Sequence, residues 1–137
     1  KKCAVLTDGD LKPSDAGSEE EGEFPHIEEL KEYENNFVQI FHCVTTFERA
    51  IAIPDNLLVF SKSAMELGAP HVSKDLKDCY DGRADLTSDK KNQARDKVLS
   101  TANRFGKARF AQVTSKYVED AGGLPSYIKE AVEWVME

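Results

Sequence analysis

The chain has 137 residues, with 18 lysines and arginines against 25 aspartates and glutamates, for a net charge of −7. This length suits one domain with a real core. The acidic balance argues against a protein that coats nucleic acid with its whole surface, so an anionic partner needs a local basic patch or a bound metal ion. No apolar run approaches the roughly 20 residues that cross a bilayer, and we expect a cytoplasmic protein.

Cysteine and histidine residues are few and scattered along the chain. Their spacing matches no CxxC or zinc-ligand pattern, which favours reduced thiols and argues against a zinc site. The residues are Cys3, Cys43, Cys79, His26, His42 and His71.

The first 41 residues have the pattern of two strands separated by a helix. The opening run is apolar, as in a strand buried on both faces, and it ends at Asp8-Gly9-Asp10. The acidic stretch that follows lacks EF-hand spacing, so it predicts a solvated loop rather than a calcium site. The predicted elements are a strand over 2–7, an exposed loop over 14–23, a helix over 25–36 and a strand over 37–41.

The rest of the chain has mainly helical patterning. Thr45 or Thr46 predicts the cap of a short helix that ends before Pro54, and Asp55 predicts the cap of the next helix. Residues 71–86 have no clear period and are predicted to be irregular. The inward side chains expected of the short helix are Phe47, Ala50 and Ile51. Two further helices are predicted over 56–67 and 87–103. A third is predicted to end at Gly122, with an apolar stripe of Phe110, Val113, Thr114, Tyr117, Val118 and Ala121. The last is predicted to start at Pro125, with an apolar stripe of Leu124, Ile128, Ala131, Val132 and Val135.

These elements together predict an α/β fold with parallel strands, flanking helices and a helical C-terminal half. In open α/β sheets, ligands bind at the carboxyl ends of the strands. Both acidic motifs of this sequence follow a predicted strand.

The first motif is Asp8-Gly9-Asp10 at the end of the first strand. The glycine is expected to let the backbone turn sharply, so that both carboxylates converge on one point. Two close carboxylates repel each other, and a hard divalent cation such as Mg²⁺ relieves the repulsion. The alternative is a polar turn in which an aspartate caps a helix.

The second motif is Thr46-Phe47-Glu48, after the second strand. If the two strands are parallel neighbours, Glu48 lies near Asp8 and Asp10 and completes a cluster of three acids. Alternatively, Glu48 is a favourable charge in the first turn of a helix.

Between Thr87 and Phe110 the local net charge is positive, opposite to that of the whole chain. Phosphate contacts need such a field, although charged helix faces are commonly just solvated surface. The basic residues Lys90, Lys91, Arg95, Lys97, Arg104, Lys107 and Arg109 outnumber Asp89 and Asp96 there.

Four motifs in order resemble the C-terminal TOPRIM nuclease region of the OLD (overcoming lysogenization defect) endonucleases. They are VLTDGD, VQIF followed by TTFE, GKARFAQ, and LPSYIKEAVEWV. The resemblance covers most of the chain and leaves residues 14–23 and 71–87 unmatched. It implies a TOPRIM-like core over 1–86, a helical part of the same nuclease region over 87–137, and metal-dependent cleavage of DNA.

The resemblance also implies roles for individual residues. Asp8, Asp10 and Glu48 correspond to metal ligands, for two Mg²⁺ or Mn²⁺ ions about 4 Å apart in the complete site. Lys107 corresponds to a lysine beside the scissile phosphate, which stabilises the transition state. Ala108 stands where the family has glycine. The remaining basic residues, Lys90, Lys91, Arg95, Lys97, Arg104 and Arg109, are the expected DNA contacts.

Two features of that family have no counterpart in this sequence. TOPRIM domains carry a catalytic glutamate on an earlier strand, and OLD proteins carry an N-terminal ATPase with a phosphate-binding loop. The expectation is therefore a truncated nuclease half of a larger ATP-dependent enzyme, weak or inactive by itself. Its partners would be DNA, the ATPase region of the same chain and a possible second copy. Several proteins of the family act in phage defence.

Two other classes remain open on the sequence. Haloacid-dehalogenase-like phosphatases also place D-x-D after a strand, which would make Asp8 the nucleophile and Asp10 the general acid. Their motif continues with glycine or asparagine and then threonine or valine, whereas this chain continues Leu11-Lys12-Pro13. The last class is a non-catalytic interaction domain with Tyr127 or Trp134 on a partner surface.

Overall fold

The computed structural model describes residues 1–10 and 24–137 and divides into two compact units. The sheet unit consists of Lys1–Ala50 together with Leu124–Glu137, and the helical unit of Ile51–Gly123. The predicted loop over 14–23 lies outside the described residues. Within the described ranges, no helix is both long enough and apolar enough to span a membrane.

Two parallel strands, β1 (Cys3–Thr7) and β2 (Val38–His42), form the described sheet. Their register runs from Cys3 opposite Val38 to Thr7 opposite His42, which confirms that the strands are parallel neighbours. The expectation that the first strand is buried on both faces is wrong, since Cys3 is exposed and Leu6 is 50% exposed. Among the described strands, β1 pairs with β2 alone.

The helix α1 (Pro25–Lys31) connects the strands and buries Ile27 completely. It is shorter than the predicted helix over 25–36. The chain turns before β2 because the Asn35 side-chain oxygen accepts hydrogen bonds from the N–H groups of Phe37 (2.8 Å) and Val38 (3.1 Å).

The short helix α2 (Phe47–Ile51) follows β2, as expected. Its predicted inward face is only partly right. Ala50 packs on the core of the sheet unit and Ile51 on that of the helical unit, but Phe47 is 46% exposed while Glu48 and Arg49 are buried. Both charged side chains have interaction partners, and a buried charge is tolerated when it is paired.

The last helix, α7 (Ser126–Met136), packs on the sheet. Tyr127 and Ala131 are buried against Phe41 and Cys43, and the Trp134 ring lies 6.2 Å from that of Phe41. The predicted inward stripe is therefore only partly right. Ala131 is buried and Ile128 partly so, but Leu124, Val132 and Val135 are exposed.

The helical unit contains four longer helices and three short 3₁₀ turns within the described residues. The predicted helices over 56–67 and 87–103 are confirmed with shifted ends, and Thr87 caps the second by accepting the N–H of Lys90 at 3.3 Å. The elements are 3₁₀ Pro54–Asn56, α3 (Leu57–Leu67), α4 (Pro70–Asp81), 3₁₀ Arg83–Asp85, α5 (Ser88–Phe105), α6 (Lys107–Ser115) and 3₁₀ Val118–Asp120.

Two predictions for this unit are wrong. Residues 71–86 are mainly the helix α4, whose Val72, Leu76 and Tyr80 recur at helical spacing and pack on the core. The helix along Phe110 stops at Ser115 and a 3₁₀ turn follows, so Val118 is 64% exposed.

Leu57, Leu76 and Val98 lie at the centre of the helical unit, each no more than 1% exposed. The buried Asn56 closes the unit. Its side chain donates to the carbonyls of Ile51 (3.0 Å) and Gly123 (2.9 Å), and its oxygen accepts the N–H groups of Gly122 (2.9 Å) and Gly123 (3.1 Å). The first and last segments of the unit are thereby joined.

Candidate functional site

The Asp8-Gly9-Asp10 turn lies at the carboxyl end of β1, beside the chain that leaves β2. The N–H of Cys43 donates to the carbonyl of Thr7 at 3.3 Å, and the N–H of Asp10 donates to the carbonyl of Thr45 at 2.9 Å. The parallel pairing therefore continues past the last strand residues. It fixes the turn against the segment that leads to Glu48.

Gly9 is required by close packing, and the sharp turn occurs one residue later. A Cβ at Gly9 would lie 2.2 Å from the carbonyl oxygen of Cys43 and 2.5 Å from that of Val44. The left-handed backbone belongs to Asp10, with φ of +58°. Aspartate tolerates this conformation better than most residues. The expectation that the glycine provides the turn is thus corrected.

The Asp8 carboxylate accepts a hydrogen bond from a buried thiol. The Cys43 Sγ–H donates to Asp8 Oδ1 at 3.5 Å. The pKa of Cys43 is raised to about 11, chiefly by burial and also by the negative charge of Asp8. Burial likewise raises the pKa of Tyr127 well above its usual range, with smaller contributions from Cys43 and Asp8. At neutral pH the Cys43 thiol is therefore a protonated donor to the Asp8 carboxylate, and the protonated Tyr127 phenol lies beside the thiol.

His26 contacts the same turn from α1. Its Nε2–H donates to the carbonyl oxygen of Asp8 at 3.0 Å, and Nε2 lies 3.9 Å from Asp10 Oδ2. Sequence reasoning missed both His26 and Cys43, because neither has a spacing that links it to the D-G-D motif. A polar residue one strand away in a parallel pair is visible only once the register is known.

The acids themselves differ in environment. The Asp10 side chain is 69% exposed, whereas Glu48 is buried in the first turn of α2. Among residues 1–10 and 24–137, no three His, Cys, Asp or Glu side chains are grouped closely enough to hold a metal ion. The convergence of Asp8, Asp10 and Glu48 on shared cations stays a prediction. The two aspartates still suit Mg²⁺, which commonly takes one or two carboxylates and completes its shell with water and phosphate oxygens.

All seven predicted basic residues lie in the helical unit. Lys90, Lys97 and Arg104 are seven residues apart along α5, so they share one face of that helix. Lys97 is paired with Asp75 at 2.5 Å. Lys91 and Arg95 lie on an adjoining face of α5, and Lys107 and Arg109 are in the first turn of α6.

An open groove of about 430 Å³ runs along this face of α5. Lys97 and Arg104 contribute the positive charge of its lining, and Asp96 contributes a negative charge. Phe105 adds an apolar wall, with the Arg104 guanidinium 5.0 Å from the centre of its ring. The groove therefore combines an aromatic wall with charges of both signs.

Comparisons with protein-family models, with curated proteins and with solved structures found no match. The resemblance to OLD nucleases therefore rests on the order of the four motifs in the sequence.

Proposed function

We propose that the chain is the nuclease portion of a metal-dependent DNA endonuclease that hydrolyses phosphodiester bonds. The observation that carries the proposal is the parallel register of β1 and β2, which continues to the contact between Asp10 and Thr45. At the carboxyl end of this sheet, Asp8 and Asp10 follow β1, and Glu48 follows β2 in the first turn of α2. Such ends are where open α/β sheets bind their ligands.

In this proposal the D-G-D turn binds the cation. Asp8 and Asp10 provide carboxylate oxygens, and Glu48 is the proposed further ligand. When bound, Mg²⁺ or Mn²⁺ would activate a water molecule and stabilise the negative charge on the leaving oxygen. Cys43 and His26 keep the turn in place through the Asp8 carboxylate and the Asp8 carbonyl respectively. The chain's own contribution is therefore two carboxylates on a turn that is held through Asp8.

DNA would be held through its phosphates by the helical unit. Lys90 and Arg104 are exposed on the same face of α5, and Arg109 is exposed on α6. These charges give a local positive field on an acidic protein, which phosphate binding requires. Lys107 is the proposed residue for the scissile phosphate, where a cation lowers the energy of the transition state.

The first test is metal binding by this chain. We expect Mn²⁺ to raise the unfolding free energy of the wild type by about 2.7 kcal/mol at a hundred times its dissociation constant. Asp8→Asn and Asp10→Asn should lose this gain, because each removes a carboxylate charge from the turn. Asp78→Asn is the matched control, since it removes the same charge from exposed α4. Thermal unfolding and a Mn²⁺ titration by electron paramagnetic resonance give independent readouts.

The second part of the test is plasmid nicking in Mn²⁺ by the same four proteins. Any nicking should be absent from Asp8→Asn and retained by Asp78→Asn. Equal Mn²⁺ stabilisation of the wild type and Asp8→Asn, or nicking that survives in Asp8→Asn, would contradict the proposed site.

A further inference from the structure

The thiol of Cys43 has two oxygen atoms within reach. Its Sγ lies 3.5 Å from Asp8 Oδ1 and 4.0 Å from the carbonyl oxygen of Thr7. That carbonyl already accepts the backbone N–H of Cys43 at 3.3 Å. A thiol carries one proton, so the nearer and negatively charged oxygen of Asp8 is the better acceptor. The bond therefore joins the Asp8 carboxylate to the chain that leaves β2.

The sheet unit fixes the position of this thiol. Cys43 is 6% exposed, and it packs with Phe41 and Tyr127 in the core of that unit. Its backbone is confined as well, because a Cβ at Gly9 would lie 2.2 Å from the Cys43 carbonyl oxygen. A hydrogen bond to a charged group is stronger in such low-dielectric surroundings than in water. A donor held in this way restricts the rotation of the Asp8 side chain.

The two oxygens of the Asp8 carboxylate consequently differ. Oδ1 accepts the buried thiol, and no group among residues 1–10 and 24–137 donates a hydrogen bond to Oδ2. The Asp10 carboxylate is 69% exposed, and His26 Nε2 lies 3.9 Å from its Oδ2, which is beyond hydrogen-bond distance. Asp8 is thus the more restrained acid of the D-G-D turn.

Divalent cations respond differently to such a restraint. Mg²⁺ requires a nearly ideal octahedron with bonds of about 2.0–2.1 Å, whereas Ca²⁺ accepts roughly six to eight oxygens in flexible geometry. Ca²⁺ also takes a carboxylate through one oxygen or through both. A carboxylate that presents one oriented oxygen therefore suits Mg²⁺, and one that is free to present both oxygens suits Ca²⁺.

We propose that Cys43 is a positioning residue that sets the cation specificity of the site. Its thiol holds Asp8 Oδ1, leaves Oδ2 as the ligating oxygen, and so favours Mg²⁺ over Ca²⁺. The inference rests on the proposed function, in which Asp8 and Asp10 bind the cation. Groups that orient a metal ligand commonly change metal affinity by about 10–100-fold when they are removed.

The hydrogen bond itself is tested in the absence of metal. The infrared S–H stretching band reports the hydrogen bond that a thiol donates, and replacing Cys3 and Cys79 by serine leaves Cys43 as the one thiol of the sequence. In this background Asp8→Asn should shift the band to higher frequency, because the acceptor loses its charge. Asp10→Asn is the matched control and should leave the band in place. An unshifted band in Asp8→Asn would overturn the inference.

Cation specificity is the second measurement. Mn²⁺ bound to the 137-residue chain is displaced by Mg²⁺ or by Ca²⁺, and electron paramagnetic resonance follows the released Mn²⁺. Cys43→Ala should lower the preference for Mg²⁺ over Ca²⁺ about tenfold. Cys43→Ser keeps a donor and should retain most of the preference, and Cys79→Ala, in the helical unit, should retain all of it. Because the readout is a ratio of two affinities, a general loss of stability does not produce this pattern.

The outcomes separate this inference from the proposed function. An unchanged ratio in Cys43→Ala, or equal losses in Cys43→Ala and Cys43→Ser, would overturn the role of the thiol and leave the cation site standing. A wild type that binds no Mn²⁺, or Mn²⁺ binding that survives in Asp8→Asn, would overturn the proposed function and this inference with it. The infrared measurement keeps Cys43 in place, so it decides the matter even if Cys43→Ala does not fold.

Discussion

The two units are built from different parts of the chain. The helical unit consists of successive segments, and its core includes Leu57, Leu76 and Val98, which are almost completely buried. The sheet unit combines β1, β2 and α7 from opposite ends of the chain, and Phe41 and Tyr127 in its core are 9% and 8% exposed. Its core also contains the thiol and the phenol beside Asp8. The comparison indicates that the helical unit has the larger apolar core, whereas in the sheet unit polar groups at the strand ends pack beside a smaller one.

The largest expected effect is the loss of packing in the helical unit. Leu57→Ala should lower its unfolding free energy by about 2–5 kcal/mol, because it leaves a cavity at a site only 1% exposed. Val118→Ala removes apolar atoms from an exposed site of the same unit and should change the free energy little. Urea unfolding followed by residue-level hydrogen exchange measures both. Equal losses in the two variants would show that the core is not centred on Leu57.

The next effect is confined to the sheet unit. Gly9→Ala should cost about 1–3 kcal/mol, since its Cβ would overlap the carbonyl oxygens of Cys43 and Val44 and force the strand ends apart. Gly82→Ala is the control, because the nearest atom to its Cβ would be Asp78 O at 3.7 Å, an ordinary contact. We expect faster amide exchange at Asp10 in Gly9→Ala. Unchanged exchange there would mean that the turn does not depend on this close packing.

The smallest expected effect is a loss of stability of the sheet unit at alkaline pH. The pKa of Cys43 is raised from 9.0 to about 11, chiefly by burial, so above pH 9 the unfolded chain releases a proton that the folded chain keeps. Stability from this group is therefore complete below pH 9 and is lost as the pH rises towards 11. Between pH 9 and 10, where Tyr127 still keeps its proton in both states, Cys43→Ala should remove this slope, while Cys79→Ala, in the helical unit, should retain it. The measurement is the unfolding midpoint between pH 8 and 10, and an identical slope in both variants would refute the assignment to Cys43.

Much of the fold is predictable from local patterns in the sequence. The β-forming run before His42 and the capping Thr87 identify β2 and α5, because hydrophobic period and capping act within a few residues. The helix α4 was also within reach, since Val72, Leu76 and Tyr80 have helical spacing.

Other features depended on contacts between distant residues. The sequence suggested a reason for Gly9 but not the correct one, because the carbonyl groups that exclude its Cβ belong to Cys43 and Val44. The inward face of α7 was misjudged for a similar reason. Both aromatic and aliphatic residues of that helix can pack, and the position of Phe41 selects Trp134 over Val132.

The sequence by itself determined the α/β class, the parallel pair of strands and the position of two aspartates at a strand end, since each follows from patterns local in the chain. The tertiary structure alone decided that Cys43 and His26 contact that turn, that Asp10 rather than Gly9 adopts the left-handed backbone, and that β2 is the neighbour of β1 among the described strands. The physical reason is register. Packing and strand pairing join residues far apart in the chain, and no local preference encodes which of them meet.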